Sequence, residues 1–197
     1  MMRTTSPAKR ESKISEHQEY AQLACYMQPT VMLFGASIVK GLRRYSSVWR
    51  SLPHKTINCG IGGDRTENVL WHIENFNIPA SAKYIFIHCG TNNLAQDFTN
   101  TIAKGIIKCG VAARQPGRTV IITSILPRDL KRTNLREKGY EVNTILRKYC
   151  EEEKLLYLEI DGGFVLEDEN LDRKLYHTDY LHLSKIGSEK LTDNIVN

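Results

Sequence analysis

Apolar residues along the chain cluster in five short runs, and longer segments with helical spacing separate them. Most of these runs are unbroken rather than alternating between apolar and polar residues. Unbroken runs are typical of strands that are buried on both faces of a parallel sheet. The pattern therefore predicts five strands, at residues 30–34, 56–59, 84–89, 119–125 and 155–160.

The segments between the runs are long enough for helical crossovers between parallel strands. Their apolar spacing predicts helices near residues 38–50, 65–76, 99–114, 135–153 and 184–196, and a more loosely patterned helix over 14–27. Together the elements predict an α/β fold, a three-layer α/β/α sandwich with about five parallel strands, as a single domain over 13–197. We expect residues 1–12, which are polar, basic and aperiodic, to form a disordered tail.

The composition fits a globular intracellular protein: of 197 residues, 41% are hydrophobic and 25% charged. No apolar run is long enough to span a membrane, and none near the start resembles a signal peptide, so a cytoplasmic location is predicted. The five cysteines are widely spaced and form no Cys-x-x-Cys pair, which favours buried thiols over disulfides or a zinc site. We expect no cofactor and no metal.

Glycines and small polar residues follow the first three predicted strands, at positions 35–37, 60–64 and 90–92. Open parallel sheets bind ligands beyond the carboxyl ends of their strands, where loops and helix N-termini meet. We therefore expect these three segments to contribute to one site.

Two separated segments suggest a nucleophile and its base. Ser37 follows a strand and a glycine and opens a helical run, a position that suits either a nucleophile or an ordinary N-cap serine. Asp179 precedes His182 by one turn, so its carboxylate could accept the Nδ1 proton of the imidazole and leave Nε2 to take a proton from serine. Alone, the Asp-x-x-His spacing equally fits a surface turn.

An oxyanion hole could come from the backbone N–H groups of Ser37 and Gly63 together with the side-chain amide of Asn92. A flexible turn or a phosphate-binding loop is the alternative interpretation of residues 60–63. The dinucleotide-binding pattern Gly-x-Gly-x-x-Gly is not met, because Arg65 occupies the place of its third glycine.

Taken in order, these blocks resemble the SGNH (GDSL-like) hydrolase superfamily over about residues 30–195. Within it, the chain is most similar to the catalytic subunits of the intracellular platelet-activating-factor acetylhydrolases. It also resembles the esterase domain in the first-open-reading-frame proteins of some LINE-type retrotransposons. The matching blocks are residues 60–64, 69–71, 90–93, 126–128, 161–164 and 179–183.

The resemblance implies a flavodoxin-like SGNH fold and a serine esterase that hydrolyses short-chain, above all acetyl, esters, lipids among them, through an acyl-serine. It implies Ser37 as nucleophile, His182 as base, Asp179 as its orienting acid, and Ser37, Gly63 and Asn92 as oxyanion donors. One departure is that Ala36 stands where the family has Asp in Gly-Asp-Ser. We expect this change to alter the rate rather than to abolish activity.

The formal net charge of +5 keeps a second class of function open. Residues 101–150 hold eleven Lys and Arg against three acids, whereas residues 151–172 hold nine acids and one Lys. The basic tail and the stretch 128–138 could make weak contact with nucleic acid or an anionic membrane, although few aromatic residues accompany them and a solvated, ion-paired helix face explains them better. The alternative hypothesis is a catalytically weak SGNH-like module that binds RNA or lipid, for instance in a retrotransposon-encoded protein. The chain could also form a homodimer.

Overall fold

Five parallel strands form the single sheet of the computed structural model, which describes residues 7–196. The strand order is β2-β1-β3-β4-β5, and every pairing is parallel. The predicted parallel sheet is confirmed, and each predicted strand end lies within two residues of the observed one. The strands are β1 (Val31–Gly35), β2 (Thr56–Gly60), β3 (Tyr84–His88), β4 (Thr119–Thr123) and β5 (Leu156–Leu158).

Helices cover both faces of the sheet. Apolar side chains of α1, α4, α5 and α6 form a core on one face, and those of α2, α3 and α7 form a second core on the other. The predicted three-layer sandwich is therefore confirmed. None of these helices is both long and apolar enough to cross a membrane. Their bounds are α1 (Pro7–Met27), α2 (Ser37–Gly41), α3 (Ser46–Ser51), α4 (Thr66–Glu74), α5 (Thr99–Ala113), α6 (Asn134–Glu152) and α7 (Lys185–Val196).

Strand β1 shows why the apolar runs are unbroken. All five of its residues are buried. Met32 and Phe34 pack into one core, and Val31 and Leu33 pack into the other, because successive side chains of a strand point to opposite faces. Each fully buried side chain of this size stabilises the fold by about 1.5–3 kcal/mol.

The single helix predicted near residues 38–50 is instead two short helices, α2 and α3, joined by a 3₁₀ turn at Leu42–Arg44. Tyr45 is extended, with φ −114° and ψ 114°, and ends the first helical segment. In one continuous helix, Leu42 and Val48 would point in different directions, since each residue rotates the side chain by about 100°. The break lets both pack into the same core, where they are 1% and 0% exposed.

Two expectations for the first thirty residues are wrong. Helix α1 begins at Pro7, so the second half of the predicted tail is helical, and proline is favoured at a first helical position. The rest of the predicted tail, residues 1–6, lies outside the described residues. Cys25 is exposed on α1, whereas the other four cysteines are buried as predicted.

Candidate active site

The predicted site residues lie at the point where the strand order of the sheet reverses, between β1 and β3. The loops that follow β1 and β3 leave the sheet at the same edge and run in opposite directions, which opens a crevice between them. Ser37 begins α2 directly after β1, and Asn92 lies in a 3₁₀ turn directly after β3. The topology therefore brings the two segments, which are far apart in sequence, to the same crevice.

The structure brings Ser37, His182 and Asp179 into one hydrogen-bonded chain. Nε2 of His182 lies 2.9 Å from the Oγ of Ser37, and Nδ1 lies 2.7 Å from Oδ2 of Asp179. Both distances are those of good hydrogen bonds. With the ring proton on Nδ1, the imidazole donates to the carboxylate and its Nε2 can accept the serine proton. These contacts form although Ala36 replaces the family's Asp.

The loop that carries Asp179 and His182 is itself fixed by hydrogen bonds. Oδ1 of Asp179 accepts the backbone N–H groups of Leu181, at 3.0 Å, and His182, at 2.9 Å. Tyr180 between them has φ +49°, a left-handed conformation that costs a non-glycine residue about 1–2 kcal/mol. Backbone strain of this kind is concentrated at functional sites, where the surrounding contacts hold it in place.

The pKa of Asp179 reflects these contacts. Burial alone would raise the pKa, but hydrogen bonds from the His182 ring and from the two backbone N–H groups outweigh it and lower the pKa to about 2. The carboxylate therefore stays ionised at any pH at which the protein would normally work, and it can orient the imidazole without taking its proton.

Close packing explains Gly35, two residues before Ser37. A Cβ atom on Gly35 would lie 2.2 Å from the carbonyl oxygen of His88, at the end of the neighbouring strand β3. No other residue type fits there without moving the backbone of β1 or β3. Gly35 therefore lets β1 deliver Ser37 into the crevice beside the end of β3.

The predicted oxyanion donors lie on the segments that follow β1, β2 and β3. The N–H of Ser37, as the first residue of α2, has no partner within its own helix. Gly63 has φ +73° in a turn closed by the Asp64 N–H and the Ile61 carbonyl, 3.3 Å apart. Such a turn favours glycine at its third position. Nδ2 of Asn92 donates to the Asp64 carbonyl at 2.8 Å, which leaves its second N–H available to a substrate oxygen.

Replacing Asn92 by alanine tests its place in the hole. We expect kcat for p-nitrophenyl acetate to fall by about 10²–10³-fold, the usual cost of losing one oxyanion donor, with a much smaller change in KM. The matched control is Asn100→Ala on the exposed surface of α5. A rate within a few-fold of the wild type would exclude Asn92 from the hole.

Side chains for which the sequence predicted no role connect the loop that carries Gly63 to the loop that carries Asn92. Oδ1 of Asn93 accepts the N–H of Thr66 at 3.0 Å, and its Nδ2 donates to Asp97 at 2.7 Å. Arg65 pairs with the same carboxylate, at 2.5 Å. The loop after β2, which carries Gly63, and the loop after β3, which carries Asn92, are therefore held as one unit.

Asp64, next to Gly63, also has a structural role that the sequence did not predict. Its side chain is fully buried, with Oδ1 2.5 Å from Nζ of Lys13 on α1 and Oδ2 3.0 Å from Nε2 of His72 on α4. The carboxylate therefore joins the loop that carries Gly63 to two helices, α1 and α4. A pair that joins residues 13 and 64 leaves no signal in a local sequence pattern.

Breaking this buried pair should destabilise the protein. In Asp64→Asn, the ammonium of Lys13, whose side chain is only 14% exposed, loses its counter-charge. We expect the free energy of unfolding to fall by about 3 kcal/mol, at the lower end for a broken buried pair because Lys13 can still turn towards water. Urea unfolding measures the change.

The exposed Asp193→Asn is the matched control for Asp64→Asn, and Lys13→Met in the Asp64→Asn background should recover part of the loss. A loss no larger than that of the control would mean that the Lys13–Asp64 pair contributes nothing net.

Comparisons with known proteins identify a matching family and related proteins. The profile of the GDSL-like Lipase/Acylhydrolase family matches residues 33–190. The chain is 34% identical over 181 residues to platelet-activating factor acetylhydrolase IB subunit alpha1 of Homo sapiens, with 88% of this chain and 77% of that protein covered. It is 33% identical over 185 residues to subunit alpha2 of Rattus norvegicus, covering 90% and 79%.

A solved structure shows the same fold. The crystal structure of a GDSL-like lipase from Bacteroides thetaiotaomicron superposes with a TM-score of 0.74 at 19% identity, covering 91% of this chain and 94% of the other. The likeness to retrotransposon esterase domains stays a prediction from the sequence.

Proposed function

Because the chain belongs to the GDSL-like lipase/acylhydrolase family, we propose that it is a serine esterase that removes short acyl groups, above all acetyl, from its substrates. The observation that carries the proposal is the unbroken hydrogen-bonded chain from Asp179 through His182 to Ser37. Acyl transfer through a serine needs a nucleophile, a base and an orienting acid in contact, and these three residues meet that need.

In the first half of the reaction, the Oγ of Ser37 attacks the ester carbonyl carbon while Nε2 of His182 takes the hydroxyl proton. The negative charge on the former carbonyl oxygen is stabilised by the N–H groups of Ser37, Gly63 and Asn92. His182 then gives its proton to the leaving alcohol, and the acyl group stays on Ser37. In the second half, water attacks the acyl-serine in the same way, and the carboxylic acid leaves.

The space around Ser37 supports a short acyl group. A small, partly open pocket beside Ser37 holds about 10 Å³, roughly room for one water-sized group. Its lining consists of Ser37, Ile38, Gly41, Arg44, His182, Leu183 and Ser188. A methyl group is of this size, whereas a longer acyl chain would have to displace the pocket wall. The human and rat relatives are named acetylhydrolases, which supports the same choice.

A chain-length series tests the proposal. We expect kcat/KM to be highest for p-nitrophenyl acetate and to fall by about tenfold or more for the butyrate and octanoate esters, because added methylenes exceed the small volume beside Ser37. Ser37→Ala supplies the background rate. Hydrolysis no faster than this background would overturn the esterase, and a preference for octanoate would overturn the assignment to short acyl groups.

The contacts of the basic stretch 128–138 weaken the alternative proposal of a nucleic-acid-binding module. Arg136 is buried and donates to backbone carbonyls, among them that of Arg128 at 3.0 Å. Arg132 pairs with Glu137 and Glu169, both at hydrogen-bonding distance. These guanidinium groups already have hydrogen-bond or ion-pair partners within the protein, so less charge remains to neutralise phosphates. Contact of this stretch or of the basic tail with nucleic acid stays a prediction, as does a homodimer.

A further inference from the structure

An open cleft beside the nucleophile is lined by basic side chains. It has a volume of about 430 Å³ and opens to solvent next to the Oγ of Ser37. Half of its lining residues are cationic, and none is acidic. The lining consists of Ser37, Lys40, Gly41, Arg43, Arg44 and His182.

The guanidinium groups of Arg43 and Arg44 contact Tyr20 and His177 rather than carboxylates. Nη2 of Arg43 donates to the hydroxyl of Tyr20 at 2.5 Å, and its guanidinium lies over the Tyr20 ring, 4.8 Å from the centroid. Nη1 of Arg44 lies 3.2 Å from Nε2 of His177. A guanidinium can only donate, so Nε2 of His177 accepts in this contact.

Among the described side chains, no carboxylate lies within 4.0 Å of Arg43 or Arg44. The third cation, Lys40, is different, because its Nζ pairs with Glu16 at 2.6 Å. Glu16 also accepts the hydroxyl of Tyr20 at 3.1 Å, so it offsets one of the three charges. The cleft therefore keeps two positive charges without a counter-ion.

Arg43 and Arg44 are both exposed, so their like charges repel each other only weakly through water. Both guanidinium groups are nevertheless held in place, by Tyr20 and by His177, and less side-chain freedom is left to lose when an anion binds. The planar guanidinium also matches carboxylate and phosphate oxygens in pairs. These are the properties of a preformed anion site about two helical turns along the chain from Ser37.

We infer that this cleft binds an anionic group, a phosphate or a carboxylate, on the alcohol part of the ester, with Arg43 and Arg44 as the residues that determine this specificity. We assign the alcohol part to the cleft because the small pocket beside Ser37, which Arg44 also borders, has room only for a short acyl group. The inference rests on the proposed ester hydrolysis at Ser37.

Paired acetate esters that differ in one charge test the inference. The probes are 3- and 4-acetoxybenzoate, which are anionic, and their methyl esters, which are neutral. The measured quantity is the ratio of kcat/KM for the anionic ester to that for its neutral partner, each corrected for its rate with hydroxide alone. We expect the wild type to favour the anion by about tenfold at low salt, the value of one charge-assisted hydrogen bond. Added salt, about 0.5 M, should reduce the ratio.

Variants assign the effect to the two arginines. Arg43→Gln and Arg44→Gln should each lower the ratio by about threefold, and the double variant should bring it close to one. Arg44→Lys keeps the charge and should retain most of the preference. Arg50→Gln is the matched control, since this arginine is exposed on α3 and does not line the cleft.

The outcomes separate this inference from the proposed function. Hydrolysis of both esters with equal ratios in the wild type and in the Arg43 and Arg44 variants would overturn the anion site and leave the esterase in place. The same result is expected if the arginines serve an anionic lipid surface, because the probes are water-soluble. An equal loss in Arg50→Gln would assign the preference to overall charge and overturn the site. Hydrolysis no faster than in Ser37→Ala would overturn the esterase and the inference together.

Discussion

Ser37→Ala and His182→Ala should each lower kcat for p-nitrophenyl acetate by about 10⁶-fold, and the double variant should be no slower than either single one. The reason is that the serine hydroxyl and the imidazole act as one unit across their 2.9 Å contact. Without the imidazole, the hydroxyl keeps its proton and is a poor nucleophile. Without the hydroxyl, the imidazole has nothing to activate.

The controls for this pair are Ser46→Ala and His54→Ala, both exposed and outside the hydrogen-bonded chain. A serine-directed fluorophosphonate adds a second measurement, because intact mass should show one adduct on the wild type and none on Ser37→Ala. A double variant that is a further hundredfold slower than either single variant would contradict the prediction, since the two groups would then act independently.

Asp179→Asn should lower kcat by about 10⁴-fold while leaving the fold intact. The amide oxygen can still accept the N–H groups of Leu181 and His182, so the loop keeps its shape. The amide nitrogen then faces Nδ1 of His182 and donates to it. The ring proton is thereby forced onto Nε2, which points at Ser37 and can no longer accept its proton.

The pH dependence follows from the pKa of Asp179, which is lowered from 3.8 to about 2. A lowered carboxyl pKa means that the pairing is fully present above about pH 4 and is lost as the pH falls through about 2. We therefore expect the carboxyl carbon of Asp179 to keep the ¹³C chemical shift of a carboxylate from about pH 5 to about pH 8. A complete carboxyl titration within this range would contradict the prediction. The exposed Asp193 is the internal comparison.

Local patterns account for what could be predicted from the sequence. The unbroken apolar runs of β1 and β3 reflect burial on both faces, and their positions follow directly. Asp179 and His182 lie within one turn, so the spacing itself places the carboxylate beside the ring. The glycine and polar residues after each strand indicate the loops of the crevice because parallel strands all end at one edge.

The features that could not be predicted from the sequence depend on contacts between residues that are far apart along the chain. The pair of Lys13 and Asp64 joins residues 51 apart, and no periodicity connects them. The break between α2 and α3 depends on which core Leu42 and Val48 must reach, which the helical spacing alone does not state. Arg43 and Arg44 were hidden for a different reason, because charge summed over long segments does not show which cations lack a counter-ion.

The hydrogen bond between Ser37 and His182 spans 145 residues of sequence. Closing so long a loop comes late when a chain folds, since its entropy must be offset by contacts made earlier. During synthesis, the nucleophile leaves the ribosome long before its base does. The nascent chain is therefore catalytically silent until His182 has emerged, and recovery of esterase activity after dilution from denaturant reports that the sheet and the loop with His182 have both formed.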